Sequence, residues 1–320
     1  MSNVTGNQSP LIKAQVFSEF MLEQINDGFL PEGLHRDVGD FGDGDTLFIP
    51  VMGETTLREY AEDEDIRYDA VDTGQITLQI TEYVSAASSV SRKLQQDGYK
   101  AASLEAQIPK DHLRLIKERY EGDMLAQANK QTLGSTNSIN GFAHRYIASG
   151  ANRQMTLEDI MYAKLALDKA NMPDTGRVAV VDAITEAALN VQIGTQAFIN
   201  NPMFEGLITT GFANGRRFVR NIYGFDIYVS DRLPRIATES ITGGAGANTS
   251  VTAGVANLFM CVADDQHKPF MGAWRQMPNT DGEFNKDRQR DEYVTTARWG
   301  FGLQRPESLV TILTSATAYK

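Results

Sequence analysis

The sequence predicts an α+β fold with a protruding arm, and three observations carry that reading. Two apolar strands flank a strongly acidic segment, a helical apolar repeat of about twenty residues follows, and strands then alternate with helices to the end. The 320 residues suffice for one large domain or two ordinary ones, and 42% hydrophobic with 22% charged residues is ordinary for a chain that folds around a core.

Residues 1–42 form an N-terminal arm in this reading. They hold one amphipathic piece, Leu11 to Ile25, with Ile12, Val16, Phe20 and Ile25 at helical spacing, then irregular sequence with Gly and Pro. Their polar start lacks the basic and apolar regions of a signal peptide, and no run of about 18 apolar residues follows, so the expectation is a protein made in the cytosol with no membrane partner.

Residues 43–85 read as a hairpin with its flanking strands. Leu47 to Val51 is one strand, and Gln75 to Val84 (QITLQITEYV) alternates Ile76, Leu78, Ile80 and Val84 onto one face. Between Asp43 and Asp72 stand ten acids against Arg58 and Arg67, so the connecting stretch Gly53 to Gly74 is too polar to bury and is expected to protrude.

Residues 86–172 carry a helix opened by Pro109 and Asp111 and running to about Gln131, with Leu113, Ile116, Tyr120, Met124 and Ala128 as its apolar face. Twenty helical residues span about 30 Å, enough for a strut. A second helix begins at Met155, where Thr156 with Asp159 gives a capping-box pattern, buries Leu157, Ile160 and Met161, and stops before Pro173. In residues 173–275, Arg177 to Val181 is a buried strand, Asp182 caps a helix to about Phe198, and Phe225 to Ser230 alternates again. Thr238 to Gly254, rich in Gly, Ala, Thr and Ser, reads as a flexible loop. Residues 276–320 return to the helix-bearing region.

Catalytic chemistry finds no positive support. Gly206 to Gly211 lacks the lysine of a phosphate-binding loop, and Gly243-Gly244-Ala245-Gly246 has no strand leading in and no helix after it. Asp264, Asp265 and His267 read as turn residues before Lys268-Pro269, and Cys261 as a buried thiol. The four histidines are scattered, so no metal, cofactor or catalytic residue is assigned. A net charge of −11 argues against a protein that grips duplex DNA through its phosphates.

Taken in order, four segments resemble the tailed-phage major capsid proteins with the Hong Kong 97-type fold: the acidic hairpin with Ile66-Arg67-Tyr68 followed by the long helix; Pro173 to Asp182 (PDTGRVAVVD); Asn221 to Pro234 (NIYGFDIYVSDRLP), with Asp231 where Asn is frequent; and Ala297 to Val310 (ARWGFGLQRPESLV). The resemblance implies an N-arm, an E-loop hairpin, a spine helix, a peripheral domain and an axial domain. It also implies a shell subunit that forms hexamers and pentamers around double-stranded DNA, bound without sequence specificity. The implied partners are further copies of itself, a separate scaffolding protein, a portal protein and, optionally, a decoration protein, in a virion capsid assembled in the host cytoplasm. Two rivals stay open at this point: an encapsulin-type nanocompartment shell, and a soluble hydrolase built on Asp264, Asp265 and His267. Gly224, Gly300 and Gly302 are expected to be close-approach or bulge positions in strands.

The acidic hairpin suggests an intersubunit contact. Glu54, Glu59, Glu62, Asp63, Glu64 and Asp65, with Arg67, would face basic residues of a neighbour. The candidates are Arg92, Lys93, Arg114, Lys117 and Arg119 around the long helix, and Arg288, Arg290 and Arg298 near the C-terminal strands.

Overall fold

The computed structural model describes residues 29–31, 33–39, 44–53, 57–59, 62, 65, 68, 70, 73–98, 101–131, 138–197, 218–241 and 249–317. The amphipathic piece Leu11 to Ile25, Gly206 to Gly211 and Gly243 to Gly246 lie outside these residues.

In chain order the strands begin with β1 (His35–Asp37), β2 (Thr46–Met52), β3 (Thr73–Gln79) and β4 (Glu82–Ser91). Helices α1 (Arg92–Asp97) and α2 (Ala101–Ala126) follow, then the short strands β5 (Ser138–Ile139), β6 (Phe142–Ala143) and β7 (Arg145–Ile147). After α3 (Leu157–Lys169), β8 (Arg177–Val181) and α4 (Ala183–Ala197) come β9 (Phe218–Ile222), β10 (Phe225–Val229) and β11 (Arg235–Ser240). The long strands β12 (Ser250–Cys261), β13 (Phe270–Asn285) and β14 (Arg290–Leu303) precede β15 (Leu309–Ser315).

Two sheets organise these elements. A seven-stranded sheet has the order β7-β15-β12-β8-β10-β9, with β11 also paired to β12, and a four-stranded sheet has the order β1-β13-β14-β4. Every residue of β8 is buried because both faces of its sheet are covered. Val178 and Val180 face a core shared with Met124, Leu125 and Ala128 around the C-terminal end of α2, while Ala179 and Val181 face Ile160, Ala163 and Leu167 of α3. Arg177 anchors the start of β8 by pairing with Asp168 at the end of α3 (2.5 Å) and with Asp174 (3.0 Å).

Several local signals act as read. Thr156 and Asp159 form the reciprocal capping box of α3, and Asp182 Oδ2 accepts from the Ile184 N–H (3.2 Å) at the start of α4. Cys261 is buried, and the backbone N–H groups of His267 and Lys268 donate to the Asp264 carbonyl, as a turn requires.

Other expectations are corrected. Gln75 to Val84 is not one strand: the chain leaves β3 after Gln79 and pairs again from Glu82, so β3 belongs to a hairpin with β2 while β4 joins β14. The inward alternation survives the break, with Leu78 and Ile80 buried and Val84 partly so. The long helix begins at Ala101, ten residues before Asp111, and carries Pro109 inside it. Proline there has no N–H to donate to the carbonyl of Glu105, one turn earlier. Leu113 is 37% exposed and the neighbouring His112 takes the buried position, bonded to Ser88 (2.8 Å) and Thr295 (3.1 Å). Met161 is likewise exposed rather than buried. Much of Thr238 to Gly254 is strand, because β11 and the start of β12 pair antiparallel and satisfy their backbones there. Gly224 sits in a turn at φ +90°, a conformation other residues rarely adopt, and not at a close approach.

Candidate intersubunit surface

The β2–β3 hairpin pairs from Thr46↔Gln79 to Met52↔Thr73, and only its base is held by the body. There Leu78 packs with Met271 and Ala273 of β13, with Leu47, Ile49 and Ile76 around them. Gly300 and Gly302 of β14 make this approach possible. A Cβ at 300 would overlap the Gln79 carbonyl, and one at 302 would lie 2.8 Å from the Met271 methyl carbon. Both behave as the close-approach positions expected of them.

On the opposite face of the hairpin and away from its base the side chains lose their cover. Phe48 is 59% exposed, Met52 76%, Tyr68 93% and Leu57 100%. Among the acidic candidates Glu59, Glu62 and Asp65 are exposed and make no ion pair with a described residue, while Glu54, Asp63, Glu64 and Arg67 lie outside the described residues.

The basic candidates divide into two sets. Arg114 pairs with Asp111 (2.7 Å) and Glu118 (2.8 Å), Arg119 with Asp123 (3.0 Å) and Glu82 (3.4 Å), and Arg290 with Glu292 (2.6 Å). These three are engaged within their own subunit. Arg92 lies over the Phe284 ring and Lys117 over the Phe29 ring, and neither they nor Lys93, Arg288 or Arg298 has a carboxylate partner among the described residues. A hydrogen bond from Arg92 N–H to Gln289 O (2.9 Å) brings Arg92, Lys93 and Arg288 to the same end of the four-stranded sheet.

The body behind this surface is rigidly braced. Tyr120 of α2 stacks on Trp274 (centroids 4.2 Å apart, planes 8° apart) and meets Trp299 edge-on, and the Trp299 Nε1–H donates to Asp123 (3.3 Å). Partial burial raises the Asp123 pKa, with Arg119 opposing the shift. Glu121, buried, accepts from Arg232 (3.1 Å) and from the Leu30 N–H (3.4 Å), tying the strut to the loop after β10 and to the exit of the N-terminal arm. Burial also lowers the pKa of His35, which sits edge-on to Tyr120 and Phe301. Sequence reasoning missed His35, His112, Glu121 and Arg232, because their partners lie 24 to 183 residues away and no local spacing marks them. Among the described residues there is no cluster of His, Cys, Asp and Glu able to hold a metal ion, and no helix is long and apolar enough to cross a membrane.

Comparison with known proteins fits this architecture. The chain is similar to the capsid of cyanophage P-SCSP1u (TM-score 0.68, 14% identity, 99% of this chain and 96% of that one). It is also similar to the capsid of Ralstonia phage GP4 (TM-score 0.63, 13% identity, 99% of each chain) and to a chain of Mycobacterium phage Che8 (TM-score 0.61, 16% identity, 93% of this chain and 96% of that one). No curated protein sequence matches. The profile of the phage capsid protein family spans residues 53–312, which takes in the hairpin strand β3, the strut and every strand of the two large sheets except β1 and the end of β15. The fold is therefore of the Hong Kong 97 type, and the chain belongs to the phage capsid protein family as a structural major capsid protein.

Proposed function

We propose that this subunit builds an icosahedral shell of hexamers and pentamers around double-stranded DNA, catalyses nothing, and uses the β2–β3 hairpin as its intersubunit arm. The observation that carries this reading is the uncovered hairpin: Leu57, Tyr68 and Met52 are exposed on a segment where the described acids Glu59, Glu62 and Asp65 make no ion pair with a described residue. Large apolar side chains held out in this way are characteristic of surfaces covered on association. The exposed Arg92, Lys93 and Arg288, none of them in an ion pair among the described residues, are the preferred partners of the acidic segment in a neighbour, ahead of Arg114, Arg119 and Arg290, which are already ion-paired. In the same reading the four-stranded sheet with α2 is the peripheral domain and the seven-stranded sheet the axial domain, and β15 closes in the axial sheet. Assembly takes place in the host cytoplasm, with a separate scaffolding protein, a portal protein and optionally a decoration protein.

Reversing Glu62, Asp63, Glu64 and Asp65 to lysine tests the arm. The variant is expected to keep its circular dichroism spectrum and to lose particles by electron microscopy, although single exposed pairs contribute only about 0 to 1 kcal/mol each, because the contact repeats in every subunit. Normal shells at normal yield would refute the electrostatic arm. Uniform closed shells from the subunit expressed alone would refute the need for scaffolding.

A further inference from the structure

The four-stranded sheet ends on β4, and this edge is unguarded. Natural edge strands are kept from pairing with other chains by shortness, lysine, proline or a bulge. The other edge, β1, is three residues long. By contrast β4 (EYVSAASSVS) has ten residues, no lysine or proline and a single charge, Glu82. Its register with β14 runs without a shift from Ser91↔Arg290 to Glu82↔Trp299.

The hydrogen-bond phase identifies the free groups. Arg92 N–H donates to Gln289 O, extending the β4–β14 register by one bonded pair. Bonded and non-bonded pairs alternate in an antiparallel ladder, so Glu82, Val84, Ala86, Ser88 and Val90 direct their N–H and C=O toward β14. Tyr83, Ser85, Ala87 and Ser89 direct theirs to the open edge, and no described residue outside the sheet bonds to those groups.

A groove of about 390 Å³ lies along this edge. Five consecutive β4 residues, Val84 to Ser88, form one wall, and His112, Leu115, Ile116 and Arg119 of α2 contribute to the other. Leu115 is 44% exposed there, an apolar side chain with open space beside it.

We propose that an extended segment of a second copy of this chain fills the groove and adds a fifth strand to the sheet at β4. The inference rests on the shell reading and names a seat for one subunit on another. A second copy is the fitting occupant because self-association is what a capsid subunit does. A ten-residue edge with one charge, at its first residue, would also promote open-ended aggregation unless the assembly itself closed it. The small outward side chains of Ser85, Ala87 and Ser89 let another backbone approach closely.

Hydrogen exchange on wild-type particles and free subunits tests this directly. The amides of Ser85, Ala87 and Ser89 are expected to exchange at least about tenfold more slowly in particles; equal rates would overturn the proposal. Ala87→Pro removes an N–H that makes no bond within the subunit, so the subunit should fold while particle yield drops at least about tenfold. Ala86→Pro, which removes a bond to β14, should instead damage the subunit. Should Ala87→Pro misfold, the exchange measurement on wild-type particles still decides. Cross-linking from Ala87→Cys in particles should capture a peptide of this same chain, and capture of a scaffolding or decoration protein instead would overturn the choice of occupant. A wild-type chain that never forms particles would sink the shell reading along with this one, whereas normal particles with fast-exchanging β4 amides would sink this one alone.

Discussion

The β8 strand and the β2 strand are both short and apolar, yet one is buried at every residue and the other is exposed along most of its length. In β8, RVAVV sends alternate side chains into two different cores, so the subunit itself covers both faces. In β2, TLFIPVM places Leu47 and Ile49 against the body and leaves Phe48, Val51 and Met52 in solvent. Composition is nearly the same; the number of covered faces differs. The contrast separates residues that stabilise the free subunit from residues that, in the proposed arm, become stabilising only in contact with another.

The largest expected effect lies in the seven-stranded core. Phe259 is fully buried and meets Phe225 edge-on at 5.2 Å, and Phe259→Ala should cost about 3 to 5 kcal/mol in chemical denaturation of the free subunit. Next comes a matched pair on α2. Ile116→Ala at 3% exposure should cost about 2 to 5 kcal/mol, against less than about 0.5 kcal/mol for Leu113→Ala at 37%. Equal costs would place the helix in a different rotation. Removing the α3 cap with Thr156→Ala should cost about 1 kcal/mol.

A pH experiment sharpens the account of the four-stranded side. His35 has its pKa lowered by burial, with Asp37 opposing and Lys268 reinforcing the shift. A lowered histidine pKa means the folded state prefers the neutral ring. The contribution is therefore complete above the unfolded value of about 6.5 and is lost as pH falls below it. Melting temperature should decline from pH 7.5 to 5.5 more steeply in the wild type than in His35→Phe, and parallel curves would remove His35 from the account. The smallest effect is at the arm: Leu57→Ala should change free-subunit stability by less than about 0.5 kcal/mol, because its side chain touches nothing there. A larger loss would mean that the hairpin packs on its own subunit.

What the sequence by itself determined was local. The strand β8, the capping box at Thr156, the two sides of the acidic hairpin and the existence of a long helix all follow from spacing, capping chemistry and alternation within a few residues. The tertiary structure alone decided which elements meet: the parallel pairing of β1 with β13, the division of one alternating run into β3 and β4 in different sheets, and the placement of β15 between β7 and β12. It also decided that His112 and not Leu113 faces the sheet, and that α2 continues through Pro109. The physical reason is that periodicity marks a face without naming its partner. Ser88 and Thr295 supply the hydrogen bonds that make a buried histidine acceptable, and they come from strands that the sequence places far from the helix. Likewise β4 reads as an ordinary polar alternation until the sheet order puts it on an edge, where half of its backbone groups have no partner within the subunit.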